Sequence, residues 1–269
     1  MRTHPVLSDK EFRQFQGMIY KIAGINLSDA KKTLVTGRLM KRVSHHNLPS
    51  FGDYFDVLMQ EQAELQIAVD LLTTNETFFF REPKHTDYLR DKILPAHPRG
   101  KPFRVWSAAS SSGEEPYSLA MVLADQLGDD TWEILGSDIS LRVLEKARGG
   151  HYSMERAGGI PSDYLKRFCL KGIRSQAGTL LISDSLRERV SFRQINLMEN
   201  LPKIGEFDVI FIRNVMIYFD LDTKRQVVQR ILPLLKPGGY LFVSHSESLN
   251  GIHGGLELVM PSVYRKPNG

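Results

Sequence analysis

The apolar positions of this chain follow two rhythms. Through roughly the first quarter they recur every three or four residues, the spacing of one face of an α-helix. Phe12, Phe15, Ile19 and Ile22 make the first stripe, opened by Ser8 and Glu11 at capping-box spacing. A second helix is expected from residue 29 or 30 to about 46, with Leu34, Leu39 and Val43 inward. Ser50 and Asp53 begin a third, with Tyr54, Phe55 and Leu58 on its apolar side. Residues 62–72 make a fourth, carrying Leu65, Ile67, Val69 and Leu72. Four short amphipathic helices bury their stripes by packing into a bundle. The pattern stops at 73–83, where Thr74, Asn75 and Thr77 are poor helix formers and Pro83 disfavours helix before it. This stretch reads as a linker, with a helix over 84–94 beyond it.

From Phe103 onward the rhythm alternates. Strand-like runs at 103–108, 132–137, 190–195, 207–213 and 240–244 are rich in Val, Ile and Phe. Between them lie helical patterns at 114–127, 140–148 and 222–235, the last expected to stop at Pro237-Gly238-Gly239. Such alternation predicts a doubly wound parallel sheet in an α/β domain. Residues 256–266 are expected to add a closing antiparallel pair. One segment interrupts the alternation: runs at 165–171 and 179–183 flank the loop 172–178 and predict an inserted β-hairpin.

Composition sharpens this only in places. A length of 269 residues suits one large and one small domain, and 42% apolar with 25% charged residues is ordinary globular composition. A single cysteine, Cys169, excludes an intrachain disulfide and any cysteine-rich metal site. No uninterrupted apolar run is long enough for a membrane span, and residues 1–9 carry no apolar core, so neither an anchor nor a secretory signal is expected. A cytoplasmic location is the matching expectation. The net charge of +4 is modest but unevenly spread. Lys31, Lys32, Arg38, Lys41 and Arg42 crowd onto the second helix, which points to an acidic partner.

Four segments carry candidate chemistry. Val105 to Pro116 runs from a strand through a loop of small residues into a helix, so a ligand can approach the backbone closely. The loop has one glycine, Gly113, where a dinucleotide site needs three, and two acids, Glu114 and Glu115. Acids there repel phosphate and suit a cationic ligand, or they simply complement the helix dipole. Asp138 ends the next strand, where an acid can accept from a ribose diol. Ser140 is a sufficient helix cap by itself, which would free Asp138 for that role. The strand 207–213 ends in Arg213-Asn214 and leads to Tyr218-Phe219, beyond the carboxyl edge where open sheets bind ligands. Tyr218 is suited to the reaction site and Phe219 to the core. In the linker, Asn75, Thr77 and Arg81 frame Phe78, Phe79 and Phe80, and the Arg81 fork is suited to a carboxylate. The histidines, among them His45, His85, His245 and His253, have no zinc-protease spacing, so no metal is expected.

Taken in order, residues 74–82, 105–119, 136–140, 212–220 and 236–249 resemble the CheR family of chemotaxis receptor methyltransferases. The resemblance runs over nearly the whole chain. It implies a Rossmann-like S-adenosylmethionine-dependent methyltransferase fold with a small N-terminal helical domain and an inserted antiparallel β-subdomain. The implied divisions are a substrate-docking domain over 1–73, a linker over 74–90 that contributes to the cofactor site, and a methyltransferase domain over 91–269 with its insert at about 163–186. The implied cofactor contacts are Asn75, Thr77, Arg81, Glu115, Asp138, Asn196, Leu197, Arg213 and Asn214, with Glu114 a less certain neighbour. Arg81 and Tyr218 match the pair placed nearest the methyl transfer. The expected reaction makes glutamate methyl esters and S-adenosylhomocysteine. Glutamate is already anionic at neutral pH, its unperturbed pKa being about 4.3, so no general base is needed. The implied partner is the acidic helical cytoplasmic region of chemotaxis receptors, met by Lys31, Lys32, Arg38, Lys41 and Arg42. In some family members the β-subdomain docks a receptor C-terminal peptide, on which this sequence carries no decisive feature. Nucleic acid and membrane insertion are not expected. Two alternatives stay open at this point: a methyltransferase of another substrate class, and a non-catalytic module that senses the cofactor.

Overall fold

The computed structural model describes residues 5–252 and 254–268, so His253 lies outside the described residues. The N-terminal part holds four helices: α1 (Asp9–Ala23), α2 (Lys32–His45), α3 (Phe51–Gln60) and α4 (Gln62–Leu72). The expected capping box forms at α1, with Ser8 Oγ accepting from Glu11 N and the Glu11 carboxylate accepting from Ser8 N at 2.8 Å. The inward stripe of α2 is Val35, Leu39 and Val43, and Leu34 is 38% exposed. A 3-10 turn over Asp29–Lys31 precedes α2, so the helix keeps one strict four-residue register from Val35. On α4, Ile67 is likewise exposed, while Glu64 and Asp70 are buried beside Ala68, Val69 and Leu72. Both buried acids accept hydrogen bonds from other elements, Glu64 from Arg42 and Asp70 from the Leu141 and Arg142 N–H groups.

Helix α5 (Pro83–Tyr88) starts on its proline, which needs no N–H partner there, and continues through a π turn to Ile93. The main sheet then begins: β1 (Phe103–Ser107), α6 (Glu114–Leu127), β2 (Trp132–Asp138) and α7 (Leu141–Gly149). The inserted subdomain contains β3 (His151–Ser153), α8 (Ser162–Phe168), β4 (Cys169–Lys171) and β5 (Thr179–Ile182). It is a three-stranded antiparallel sheet in the order β3-β5-β4, larger than the expected hairpin. Its first strand is only His-Tyr-Ser, too short to show alternation, and residues 165–168 belong to a helix rather than a strand.

After α9 (Asp184–Arg187), the main sheet resumes with β6 (Val190–Gln194), β7 (Phe207–Phe211), α10 (Leu221–Ile231), β8 (Leu235–Phe242), β9 (Glu257–Met260) and β10 (Val263–Arg265). The sheet order is β6-β2-β1-β7-β8-β10-β9. The five strands from β6 to β8 are parallel, and β10 and β9 close the edge antiparallel, as 256–266 suggested. Pro237-Gly238-Gly239 does not stop α10, which ends earlier at a 3-10 turn over Leu232–Leu234. The triplet lies within β8 instead and makes the register shift opposite Phe207 and Val209.

The chain leaves β1 toward β2 and β6, then returns to place β7 on the other side of β1. A crevice therefore opens beyond the carboxyl ends of β1 and β7, the switch point where such sheets bind ligands. The helical part packs close to this edge. Gly24 ends α1 at φ +69°, and a Cβ there would sit 2.6 Å from Met198 Sδ and 2.8 Å from Thr223 Cγ2 of the α/β part. Tyr218 and Ile139 pack against the helical core. Among the described residues no helix is long and apolar enough to cross a membrane.

Candidate active site

A cleft of about 850 Å³ opens at the switch point, between the sheet edge, the linker and the helical part. Its lining includes Asn75, Thr77, Arg81, Glu115 and Asp138. It also includes Asn196, Leu197, Arg213, Asn214 and Tyr218. Residues spread over more than half the chain thus meet in one place.

The floor is an ion pair. Glu115, in the first turn of α6, accepts from Ser107 Oγ at 2.7 Å and from Arg213 Nε at 2.6 Å. Arg213 is buried, and its Nη1 donates to the Arg81 carbonyl at 2.8 Å and to His85 Nδ1 at 3.0 Å. Glu82 lies 3.7 Å away. Burial alone would raise the Glu82 carboxyl, but the Arg213 charge, the His245 N–H and Ser244 together outweigh it and hold the group below its ordinary range. Burial, reinforced by Arg213, drives His85 down to about 3, so its ring is neutral at pH 7. Its Nδ1 therefore accepts from Arg213, and Nε2–H faces Ser262 Oγ at 2.9 Å.

Asp138 is buried on the cleft wall. Its Oδ2 accepts from Ser111 N at 2.9 Å and its Oδ1 from Ser140 N at 3.0 Å. Each carboxylate oxygen keeps a lone pair for a ligand hydroxyl. Burial pushes this carboxyl upward, and the N–H groups of Ser140, Ser111 and Ile139 oppose that shift. The expectation that Ser140 caps α7 is corrected: its side chain makes no capping bond. Asp70 of α4 does so from the other domain, accepting from Leu141 N and Arg142 N at 3.1 Å each.

The linker is stitched to the α/β loops by its backbone. Asn75 O accepts from Ser111 Oγ at 2.8 Å, and Phe80 N donates to Ser118 Oγ at 2.9 Å. Arg81 is half-buried, and one guanidinium N–H donates to Glu76 O at 3.0 Å. Phe80, Glu82, Ser111 and Asn214 all hold positive φ, a costly conformation for side-chain residues, and all lie at the linker or the cleft. Asn214 is pinned by Glu247, which accepts from Asn214 N, Ile217 N and Ser244 N. Asn196 Nδ2 donates to Ile22 O at 2.8 Å, joining this wall of the cleft to α1.

Two family models cover the chain: the CheR methyltransferase all-alpha domain over residues 10–73, and the CheR methyltransferase SAM binding domain over 75–264. The chain belongs to the CheR methyltransferase family. Chemotaxis protein methyltransferase 2 of Pseudomonas aeruginosa is 44% identical over 242 residues, spanning 89% of this chain and 86% of that protein. The chemotaxis protein methyltransferase of Escherichia coli K12 is 42% identical over 263 residues, spanning 96% and 91%. This CheR chain is an S-adenosylmethionine-dependent methyltransferase with a seven-stranded sheet and a small all-helical N-terminal domain.

The basic residues of α2 in this CheR protein mostly face inward partners. Arg42 pairs with buried Glu64, donating Nε to Oε1 at 2.8 Å, while Tyr54 Oη donates to the same carboxylate at 2.7 Å. The Arg42 hydrogen bond holds Glu64 at about 2. Arg38 donates to Leu72 O at 2.7 Å, Thr73 O and Thr74 Oγ1. Lys32 pairs with Asp9 at 2.6 Å. Only Lys31 and Lys41 of the expected docking set are exposed. The picture of one free cationic face is thereby corrected, because Arg38 and Arg42 share a face that braces α4 and the linker. Glu114 is turned away from the cleft: it is fully buried, accepts from Ser112 Oγ at 2.7 Å, and lies 2.9 Å from Arg156 Nε.

Glu82, His85 and His245 offer metal-ligating atoms within 4.8 Å of one another, a grouping that the sequence spacing did not reveal. Arg213 already supplies the positive charge there, 3.0 Å from His85 Nδ1. Glu247 also escaped the sequence reading, although Ser244 and Glu247 have capping-box spacing that marks a carboxylate returning to nearby backbone N–H groups.

Proposed function

We propose that this protein methylates glutamate side chains on the cytoplasmic part of chemotaxis receptors, acting in the cytoplasm. The observation that carries the reading is the convergence of the linker, β1 loop, β2 end and β7 end on a single cleft, in a chain of this family.

The residues present suit the cofactor. Asp138 offers acceptors to a ribose diol, and Ile139, Ile195 and Leu197 provide apolar walls for a base beside Asn196. Glu115 and Arg213 set a negative and a positive group side by side, matching a zwitterionic amino-acid end. Asn75, Thr77 and Asn214 close the site from the linker and strand end. Bound S-adenosylmethionine supplies an electrophilic methyl, and its transfer forms an ester C–O bond, breaks the S–C bond and leaves neutral S-adenosylhomocysteine.

The chain's own part is positioning. Arg81, half-buried at the cleft mouth, orients the incoming carboxylate with its remaining N–H groups. Tyr218 shapes the wall beside the reacting centre, its own backbone tied to Asn26 N at 2.9 Å. No base is required, and alignment of oxygen, methyl and sulfur carries the rate. The exposed Lys31 and Lys41 are further contacts for the receptor. Incubation with tritiated S-adenosylmethionine and receptor cytoplasmic domains tests the reading. A base-labile methyl product is expected, and a base-stable product on any of them would contradict it.

A further inference from the structure

We propose that a second, basic pocket beside the cofactor cleft, built from Arg38, Arg142, Lys146 and Arg156, binds a carboxylate side chain of the polypeptide substrate close to the glutamate being methylated. This rests on the glutamate-methylation reading above. The pocket is an open hollow of about 600 Å³, solvent-facing space included, and these four cations line it together. They come from three parts of the chain: Arg38 from α2, Arg142 and Lys146 one turn apart on α7, and Arg156 from the 3-10 turn Met154–Gly159 of the β-subdomain.

The pocket is continuous with the reaction site. It shares Thr73 and Asn75 with the cofactor cleft. Arg38 braces the linker at Thr73 and Thr74, and Arg156 Nη2 donates to Thr77 O at 2.9 Å. Two of the four cations therefore hold the segment that carries Asn75 and Thr77. Arg38 also lies within electrostatic reach of both the Tyr218 phenol and the Arg142 guanidinium. Burial lowers the Arg38 pKa, and the Arg142 charge lowers it further, a like-charge repulsion that an incoming anion would relieve.

Against these four cations the protein sets one buried carboxylate, Glu114, 2.9 Å from Arg156 Nε. Glu114 lies buried behind Ser112 and Arg156, and its Oε1 has no hydrogen bond among the described residues, because the Arg156 N–H is not aimed at it. Arg142, Lys146 and Arg156 remain exposed. A carboxylate fits better than a phosphate. The first N–H groups of α7, which would cradle a phosphate, are already given to Asp70. What remains is guanidinium forks and an ammonium, which suit planar carboxylates. A substrate side chain one or two turns from its target, about 5 to 11 Å along a helix, is the proposed occupant of a pocket that shares Thr73 and Asn75 with the cleft.

The test uses the full chain loaded with S-adenosylhomocysteine and a fluorescein-labelled helical peptide of about five turns with glutamates at one-turn spacing. Anisotropy should report binding that weakens about tenfold in the Arg142→Glu/Lys146→Glu variant at low salt, with the difference closing at roughly 0.5 M salt. Lys146→Ala alone, an exposed change that leaves the fold intact, should weaken it about threefold. Calorimetric affinity for S-adenosylhomocysteine should be the same in all three proteins. Equal peptide binding by wild type and variants, no binding by wild type, or a loss that salt does not reduce would overturn the pocket. Peptide that binds in this charge-dependent way yet accepts no methyl would instead refute the glutamate reading and leave the pocket standing.

Discussion

Replacing Arg213 with Met should destabilise the protein far more than replacing Arg213 and Glu115 together. Arg213 and Glu115 side chains are 5% and 12% exposed, and their charged atoms meet at 2.6 Å. Removing the guanidinium strands Glu115 in the cleft floor and takes from Glu82 the largest of the interactions that oppose its burial. Losing one partner of such a buried pair costs about 3–5 kcal/mol. For a domain of this size that corresponds to roughly 6–20 °C in Tm. The double variant Arg213→Met/Glu115→Gln removes the stranded charge and should recover at least half of the loss, a coupling of about 2 kcal/mol in a double-mutant cycle. Thermal unfolding followed by circular dichroism measures all the terms. A single variant that melts within about 2 °C of wild type, or losses that simply add, would refute the view that this pair is the structural keystone of the cleft.

Arg81→Ala should lower kcat about a hundredfold through misalignment while leaving the melting temperature unchanged, and a steady-state assay showing normal kcat would remove Arg81 from the reaction. Glu64 is held at about 2, chiefly by its hydrogen bond from Arg42, so the stability it contributes is full above pH ~4.5 and lost as pH falls through about 2. The stability gap between wild type and Arg42→Ala should accordingly be widest at neutral pH and close on acidification; a gap independent of pH in acid titrations would exclude this linkage. Asp70→Ala should cost about 1–2 kcal/mol as a lost helix cap and raise amide exchange at Leu141 and Arg142, whereas unchanged exchange there would mean that α7 needs no cap from α4.

What the sequence revealed follows from which interactions are local. Strong periodicity exposed the helices of the N-terminal part and the central strands, because each buries one face. The segments joined at the cleft were also visible, since small loop residues, strand-end acids and the Arg-Asn pair are local signals. The partnerships were not. Asp70 looks like any polar helix position, yet it caps a helix seventy residues away. Arg38 and Arg42 looked like solvated docking charges because nothing local shows that Glu64, buried on a different helix, faces Arg42. His85 meets Arg213, 128 residues distant, a partnership with no local signal. Strand β3 and the irregularity at Gly238-Gly239 were hidden for another reason: three residues show no period, and a Pro-Gly-Gly run usually marks a turn.

The account stands on the cleft accepting an adenosyl cofactor through Asp138 and the Glu115–Arg213 pair. Calorimetric titration of the purified protein with S-adenosylhomocysteine addresses this directly. One site per chain is expected in wild type, with affinity reduced at least about tenfold in Asp138→Ala by loss of the ribose acceptors. A folded wild-type protein that takes up none of the ligand, or an Asp138→Ala variant that binds it equally well, would contradict the account.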